Sequence, residues 1–269
     1  MKQYRRVMTI AGSDPSGGAG IQADIKTISA CGCFATSAIV AVVDENTVGV
    51  TGVHPVPCDF VIGQIHSILD DIGTDAVKIG MLHSSELIRA VRRTLDGYPS
   101  LRDIVLDPVM VATSGDPLLE ADAVSTLREV LLPRAKVITP NIPEAELLLG
   151  ERIEFQDQLP DAARQLSLLG GVSVFLKAGH MSEDALIDIF YNAETGSVLP
   201  LQSKRVDTVN THGTGCTLSS ALASFLACGY PLDEAARLAK DYINNAIIAG
   251  AAFRIGNGHG PVHHFHAFW

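Results

Sequence analysis

The sequence predicts an α/β protein: a mainly parallel central sheet, helices on both faces and a short antiparallel edge. Three observations lead there. Short apolar runs bounded by Gly, Pro or charge alternate with helical periodicity along most of the 269 residues, the pattern of successive βα units. The runs are continuously apolar, as strands covered on both faces are. A glycine-rich segment follows the first strand, where such a sheet places its ligand loops.

The elements follow in order. Residues 7–11 form the first strand and lead into a glycine loop at 12–20, then a helix through Gln22, Asp24 and Lys26. A strand is expected over 35–43. From Asp59 a helix buries Ile62, Ile65, Leu69 and Ile72, which recur every three or four residues as one face requires. Strands follow at 76–79, 103–106, 136–138 and 172–177. Residues 186–206 read as short antiparallel strands around a turn at Glu194-Thr195-Gly196. Residues 218–252 are mainly helical, broken at Gly229-Tyr230-Pro231, where Gly ends one helix and Pro opens the next. With no Pro/Ser-rich linker, charge block or repeat, residues 1–269 read as a single domain.

Composition narrows the function. The chain is 47% hydrophobic and 19% charged, which suits a globular protein with a large core. A net charge of −10 argues against nucleic-acid binding, which calls for a basic face. The uncharged stretch 27–43 contains polar residues and falls short of the ~20 apolar residues of a spanning helix. The opening Met1-Lys2-Gln3-Tyr4-Arg5-Arg6 runs straight into a strand without a signal-peptide layout, so a cytoplasmic protein is expected, with no membrane or nucleic-acid partner. Cys31, Cys33, Cys58, Cys216 and Cys228 lack zinc-site spacing and read as reduced thiols, mostly core filler.

The first glycine loop, Gly12-Ser13-Asp14-Pro15-Ser16-Gly17-Gly18-Ala19-Gly20, lets backbone N–H groups approach a ligand. It is not a Walker loop, because Gly18 and Ala19 stand where Lys and Ser/Thr are needed. Gly18-x-Gly20-x-x-Ala23, with Asp44 and Glu45 following about 20 residues on, fits a dinucleotide fingerprint and keeps an NAD(P)-dependent oxidoreductase as an alternative. Against it, six residues separate the strand from Gly18.

The strongest signal is Asn210-Thr211-His212-Gly213-Thr214-Gly215-Cys216-Thr217, opening an apolar helix. Amides of Gly213, Thr214 and Gly215 at a helix start form an anion hole for a phosphoryl group in transit. In the same field Cys216 is expected to have a lowered pKa and to accept the proton of an attacking hydroxyl. The competing reading is a helix-capping turn with a buried cysteine.

This segment resembles the signature of the hydroxymethylpyrimidine/phosphomethylpyrimidine kinases of thiamin biosynthesis, in the ribokinase-like superfamily. The glycine loop through Asp24, Lys78-Ile79-Gly80-Met81, Asp107-Pro108-Val109-Met110, residues 114–118, Thr139-Pro140-Asn141-Ile142-Pro143-Glu144 and residues 260–266 resemble the same family in order. The resemblance implies a ribokinase-like three-layer sandwich, ATP as phosphoryl donor, Mg²⁺, a small-molecule pyrimidine substrate and a homodimer. It implies that Gly12, Asp24, Glu45, Met81 and Val109 line the pyrimidine pocket. On the ATP side it implies Lys177, Asn141 and Thr214, with Asp107 and Glu144 for the metal, since carboxylates suit Mg²⁺. Asp44 is expected to face away from Glu45's pocket, as strand neighbours do. Asn141-x-x-Glu144 by itself could equally be a helix cap. His259, His263, His264 and His266 invite a metal reading, but a tail folded over the site entrance is preferred. Rivals are a pyridoxine/pyridoxal kinase on the same scaffold, the oxidoreductase and a non-catalytic pyrimidine-binding regulator.

Overall fold

The computed structural model describes residues 3–110, 122–179, 181 and 185–269. The expected segment 114–118 lies outside them. Among the described residues, eight strands form one sheet in the order β10-β9-β8-β7-β6-β5-β1-β2. These are β1 (Arg6–Ala11), β2 (Phe34–Ile39), β5 (Ala76–Ile79), β6 (Ile104–Leu106), β7 (Val137–Ile138), β8 (Ser173–Leu176), β9 (Ala185–Asn192) and β10 (Ser197–Lys204). All pair in parallel from β2 to β8; β9 and β10 pair antiparallel at the edge. Gly196, at φ 71°, makes the expected hairpin turn. The architecture is the predicted one.

Adjacent residues on each central strand enter opposite cores. Val7, Ala76, Val105, Val137 and Phe175 pack with α1 (Gly20–Ala30), α7 (Thr214–Ala227) and α8 (Leu232–Gly250). Met8, Val77, Leu106, Ile138 and Val174 pack on the other face with α2 (Cys58–Ser67), α3 (Ser85–Asp96), α4 (Ala123–Thr126), α5 (Ile142–Leu149) and α6 (Leu159–Leu168). The result is three layers. From β1 the chain goes outward to β2 and then returns to β5 on the other side. The switch in direction leaves a crevice at the carboxyl ends of β1 and β5, where ligands bind in such sheets.

Two expectations are corrected. The strand expected over 35–43 divides at Val40: its second half, β3 (Ala41–Glu45), leaves the large sheet and pairs antiparallel with β4 (Val50–Pro55). The glycine loop holds it there, with Ser13 N–H donating to Ala41 O at 2.9 Å and Val43 N–H donating to Ser13 Oγ at 3.1 Å. A hairpin thus stands over the crevice. Of the helix face expected to be buried, Ile65 is buried and Ile62 and Leu69 pack partly buried against the core, whereas Ile72 is exposed, at the end of the π turn Ile68–Ile72 that follows α2.

On the far side of the sheet, Lys240 of α8 donates to Asp188 of β9 at 2.7 Å, and Asp188 accepts the Ala178 N–H at 2.7 Å. Both side chains are almost wholly buried. Lys240→Met strands a buried carboxylate, at an expected cost of about 3–5 kcal/mol in urea unfolding; adding Asp188→Asn should recover most of it.

Candidate active site

Asp14 organises the first glycine loop. Its carboxylate accepts from Ser16 N–H at 2.7 Å, Ser16 Oγ at 2.9 Å, Gly18 N–H at 3.1 Å and Ala19 N–H at 2.6 Å. Those bonds consume the amides that a dinucleotide pyrophosphate would use, so the oxidoreductase reading lacks its binding groups. Gly12 packs against Met81, whose Cε would lie 2.8 Å from an added Cβ, and against Val43. Gly12 and Met81 are therefore neighbours beneath the hairpin; Glu45, on the hairpin itself, lies near His212, and Val109 is half-buried against the core. Asp44 is exposed while Val43 is buried, so it faces away as expected.

Asp24 departs from expectation. It is 0% exposed, and its carboxylate accepts from Lys78 Nζ at 2.9 Å, Thr9 Oγ1 at 2.5 Å and Ser220 Oγ at 2.7 Å. With its oxygens so engaged, it lies under the pocket as the counter-ion of Lys78 and does not line it. Lys78 was quoted within a motif but given no role, although a lysine inside the apolar strand 76–79 was a signal, since a fully buried lysine must be paired.

The second glycine turn meets the first. Gly213 caps α7 with φ 78°, a left-handed conformation that glycine adopts without strain. A Cβ there would collide with the carbonyl of Gly18, so no side chain fits. Beyond it the first-turn amides of α7 have no partner within the helix, although Thr214 N–H leans toward Thr211 O at 3.3 Å. Positions four apart on α7 share a face. Gly215 and Ser219 face Lys177 and Asp107: an added Cβ at Gly215 would lie 3.3 Å from Lys177 Nζ and 3.5 Å from Asp107 Oδ2, and Ser219 Oγ donates to Asp107 Oδ2 at 3.3 Å. Cys216 and Ser220 face Asp24, and the Gly20 N–H donates to the Cys216 sulfur. Thr217 Oγ1 meets His264 Nε2 at 3.1 Å.

The electrostatics correct one expectation. Burial pushes the Cys216 thiol up to about 11, and the charges of Asp24 and Asp107 add to this; Lys78 and the Gly20 N–H oppose it without prevailing. The helix start does not deliver the lowered pKa expected from sequence, because the sulfur is desolvated beside two carboxylates. Lys177 Nζ lies 3.4 Å from Asp107 Oδ1 and 4.0 Å from Glu144 Oε2. Burial pushes Glu144 up to about 7, with Asp107 adding and Lys177 opposing. Asn141 and Glu144 form a reciprocal capping box on α5, with Asn141 N–H donating to Glu144 Oε2 at 2.8 Å and Glu144 N–H to Asn141 Oδ1 at 2.9 Å. The helix-cap reading is what this spacing builds, and it also aims Glu144 at Lys177.

His212, quoted within the motif but given no role there, ties the two turns together. Its Nε2–H donates to Asp14 Oδ2 at 2.8 Å and lies 3.9 Å from Glu45 Oε1. Burial disfavours its charge, but Asp14 and Glu45 outweigh this and raise its pKa. Asp14 is held below the usual carboxylate range against burial by His212, Ser16 and Ala19. The C-terminal tail lies alongside: His212 N–H donates to Gly260 O at 3.0 Å, and Pro261 abuts Gly18. Burial lowers His264 to about 4, leaving it neutral. Among the described residues the one three-member cluster of potential metal ligands is Asp14, Glu45 and His212; no tail histidine takes part.

Phosphoryl transfer depends on positioning and charge stabilisation, and a helix start beside a lysine and two carboxylates at the strand ends meets both needs. Fold and site define a small-molecule kinase of the ribokinase-like class. Comparison with known proteins goes further: residues 14–263 match the model for phosphomethylpyrimidine kinase, and the chain belongs to that family. It is 45% identical over 263 residues to the hydroxymethylpyrimidine/phosphomethylpyrimidine kinase of Rhizobium meliloti, covering 97% of both chains. The Escherichia coli enzyme of the same name is 43% identical, with 97% of this chain and 98% of that one covered. Among solved structures, the ADP complex of Bacillus subtilis pyridoxal kinase matches with a TM-score of 0.90 at 36% identity, over 98% of this chain and 99% of that one. Phosphomethylpyrimidine kinase from Clostridium difficile matches at 0.80 and 40% identity, over 90% and 99%.

Two outcomes test this geometry. Gly213→Ala should lower kcat about 100-fold or more by forcing the two turns apart. The His212–Asp14 bond, a charged hydrogen bond of about 1.5–3 kcal/mol, has a raised histidine and a depressed carboxylate. Its stabilisation is full above the ordinary Asp value of 3.8 and below the ordinary His value of 6.5, and is lost as pH rises through the raised His212 value. The gap in Tm between wild type and His212→Gln should be widest near pH 5–6 and shrink in alkali; a gap constant with pH would contradict the charged bond.

Proposed function

We propose that the chain transfers the γ-phosphoryl group of ATP to 4-amino-5-hydroxymethyl-2-methylpyrimidine, and then to the resulting monophosphate, in thiamin diphosphate biosynthesis. One observation carries this reading: the Cys216 sulfur receives the Gly20 N–H where the phosphate-binding turn and the pyrimidine loop touch. Glu45, beside His212, offers a carboxylate to the edge of an aminopyrimidine, and Met81, Val43 and Gly12 offer an apolar wall. The amides of residues 213–216 take the transferring phosphate, and Lys177 adds a point charge. Asn141 holds Glu144, while Thr214 belongs to the ATP side.

Asp107 and Glu144 fit Mg²⁺. Burial lifts Glu144 to about 7, with the Asp107 charge adding to it against Lys177, and a divalent cation would favour the ionised form of both carboxylates. They would hold it largely through water, and when bound it neutralises charge on the nucleotide phosphates. A homodimer, a cytoplasmic location and a single kinase domain complete the reading.

Cys216 accepts the hydroxymethyl proton as its thiolate. Since the buried thiol sits near 11, the thiolate fraction rises about tenfold per pH unit below that value. The alcohol reaction should therefore climb with pH, and the monophosphate reaction, whose nucleophile is already ionised, should stay nearly flat. Cys216→Ala should slow the alcohol reaction about 100-fold or more and abolish its pH slope while sparing the phosphate reaction. Equal losses in single-turnover assays of both substrates would refute the acceptor role. The pyridoxal kinase likeness motivates one control: ADP release measured with hydroxymethylpyrimidine and pyridoxal in competition, in which the pyrimidine should have the higher kcat/KM.

A further inference from the structure

Lys78 has no part in the mechanism above, yet it is the largest fully buried side chain of the described residues, at 0% exposure. Burying an ion pair costs several kcal/mol per ion before any return, and apolar residues could fill the same strand. The pair also constrains its surroundings: a Cβ at Gly80 would lie 2.8 Å from Lys78 Nζ.

Its position suggests the reason. Ser220, one helical turn beyond Cys216 on the same face of α7, donates to Asp24 at 2.7 Å. Asp24 accepts Lys78 Nζ through both oxygens at 2.9 Å. Asp24 itself lies on α1, whose first residue, Gly20, donates to the Cys216 sulfur. The ion pair is thus the floor beneath the sulfur. We propose that the Lys78 ammonium, held in place by Asp24, is a positioning charge that stabilises the ionised sulfur of Cys216 during transfer to the alcohol.

This rests on the reading of Cys216 as proton acceptor and supplies what that reading lacks. Removing a hydroxyl proton puts negative charge on a desolvated sulfur near two carboxylates, and a fixed cation must offset it. The charged groups acting on this sulfur are Lys78 from β5, Asp24 from α1 and Asp107 after β6; Lys177 after β8 is coupled to it as well. Lys78 favours ionisation, whereas Asp24 and Asp107 oppose it. Lys78 in turn keeps its own charge despite burial, through Asp24, Cys216 and Asp107.

The two members of the pair should therefore act on the sulfur in opposite directions, which a purely structural pair would not do. The experiment is iodoacetamide alkylation of the whole protein across pH 7–12, with Cys216 followed by peptide mass spectrometry and the other four cysteines as internal references. Asp24→Asn removes the opposing carboxylate, while Cys216 and Asp107 still favour the Lys78 ammonium, and should shift the Cys216 alkylation midpoint down by about one pH unit, a tenfold gain in thiolate at a given pH. Asp24→Asn/Lys78→Met removes the cation as well and should move the midpoint back up from that of Asp24→Asn. Should Asp24→Asn fail to fold, Asp24→Ser takes its place. Unchanged midpoints, or a double variant at or below the midpoint of the single variant, would overturn the proposal. Alkylation reads the thiol and not turnover, so unchanged midpoints sink the coupling alone, whereas an alcohol reaction without a pH slope sinks the acceptor role alone.

Discussion

Gly213 rests directly on the carbonyl of Gly18, with no room for even one carbon between them. Everything that makes this crevice a site follows from that contact. It brings the start of α7, with its first-turn amides, against the glycine loop after β1. It requires a left-handed residue at 213 and a bare backbone at 18, and only glycine meets both conditions at once. His212 and Asp14 close the same seam with a buried charged bond, and the C-terminal tail presses on it from outside. The seam is held on three sides by contacts from distant parts of the chain.

The buried charges share a common logic. Lys78 with Asp24, Lys177 with Asp107 and Glu144, His212 with Asp14 and Glu45, and Lys240 with Asp188 are each paired. Such pairs add little to stability by themselves. The first three join elements at the carboxyl ends of the strands, around the start of α7. Lys240 and Asp188 reach the same region indirectly, by fixing Ala178 next to Lys177. The fold concentrates its costly interactions where low dielectric strengthens electrostatics.

Much of this was legible from residue order. Apolar runs and helical spacing predict the layers and the antiparallel edge, because side-chain periodicity is a local property of strands and helices. The two glycine turns declare themselves, since backbone approach to a ligand demands residues without side chains. The strand expected over 35–43 was misjudged because its division at Val40 depends on Ser13, which lies some thirty residues earlier. The exposure of Ile72 was missed because it falls in a π turn, and no periodicity count anticipates that insertion.

The sequence by itself determined the layered α/β architecture, the two glycine turns and the chemical kind of residue at each, since these depend on local spacing and on side-chain size. Tertiary structure alone decided the charges. Asp24 became a counter-ion because folding brought Lys78 and Ser220 to it, and Cys216 acquired a raised pKa because burial beside Asp24 and Asp107 outweighs a helix start. Desolvation and Coulomb energy depend on distances between residues far apart in the chain, and those distances exist only once the chain has folded.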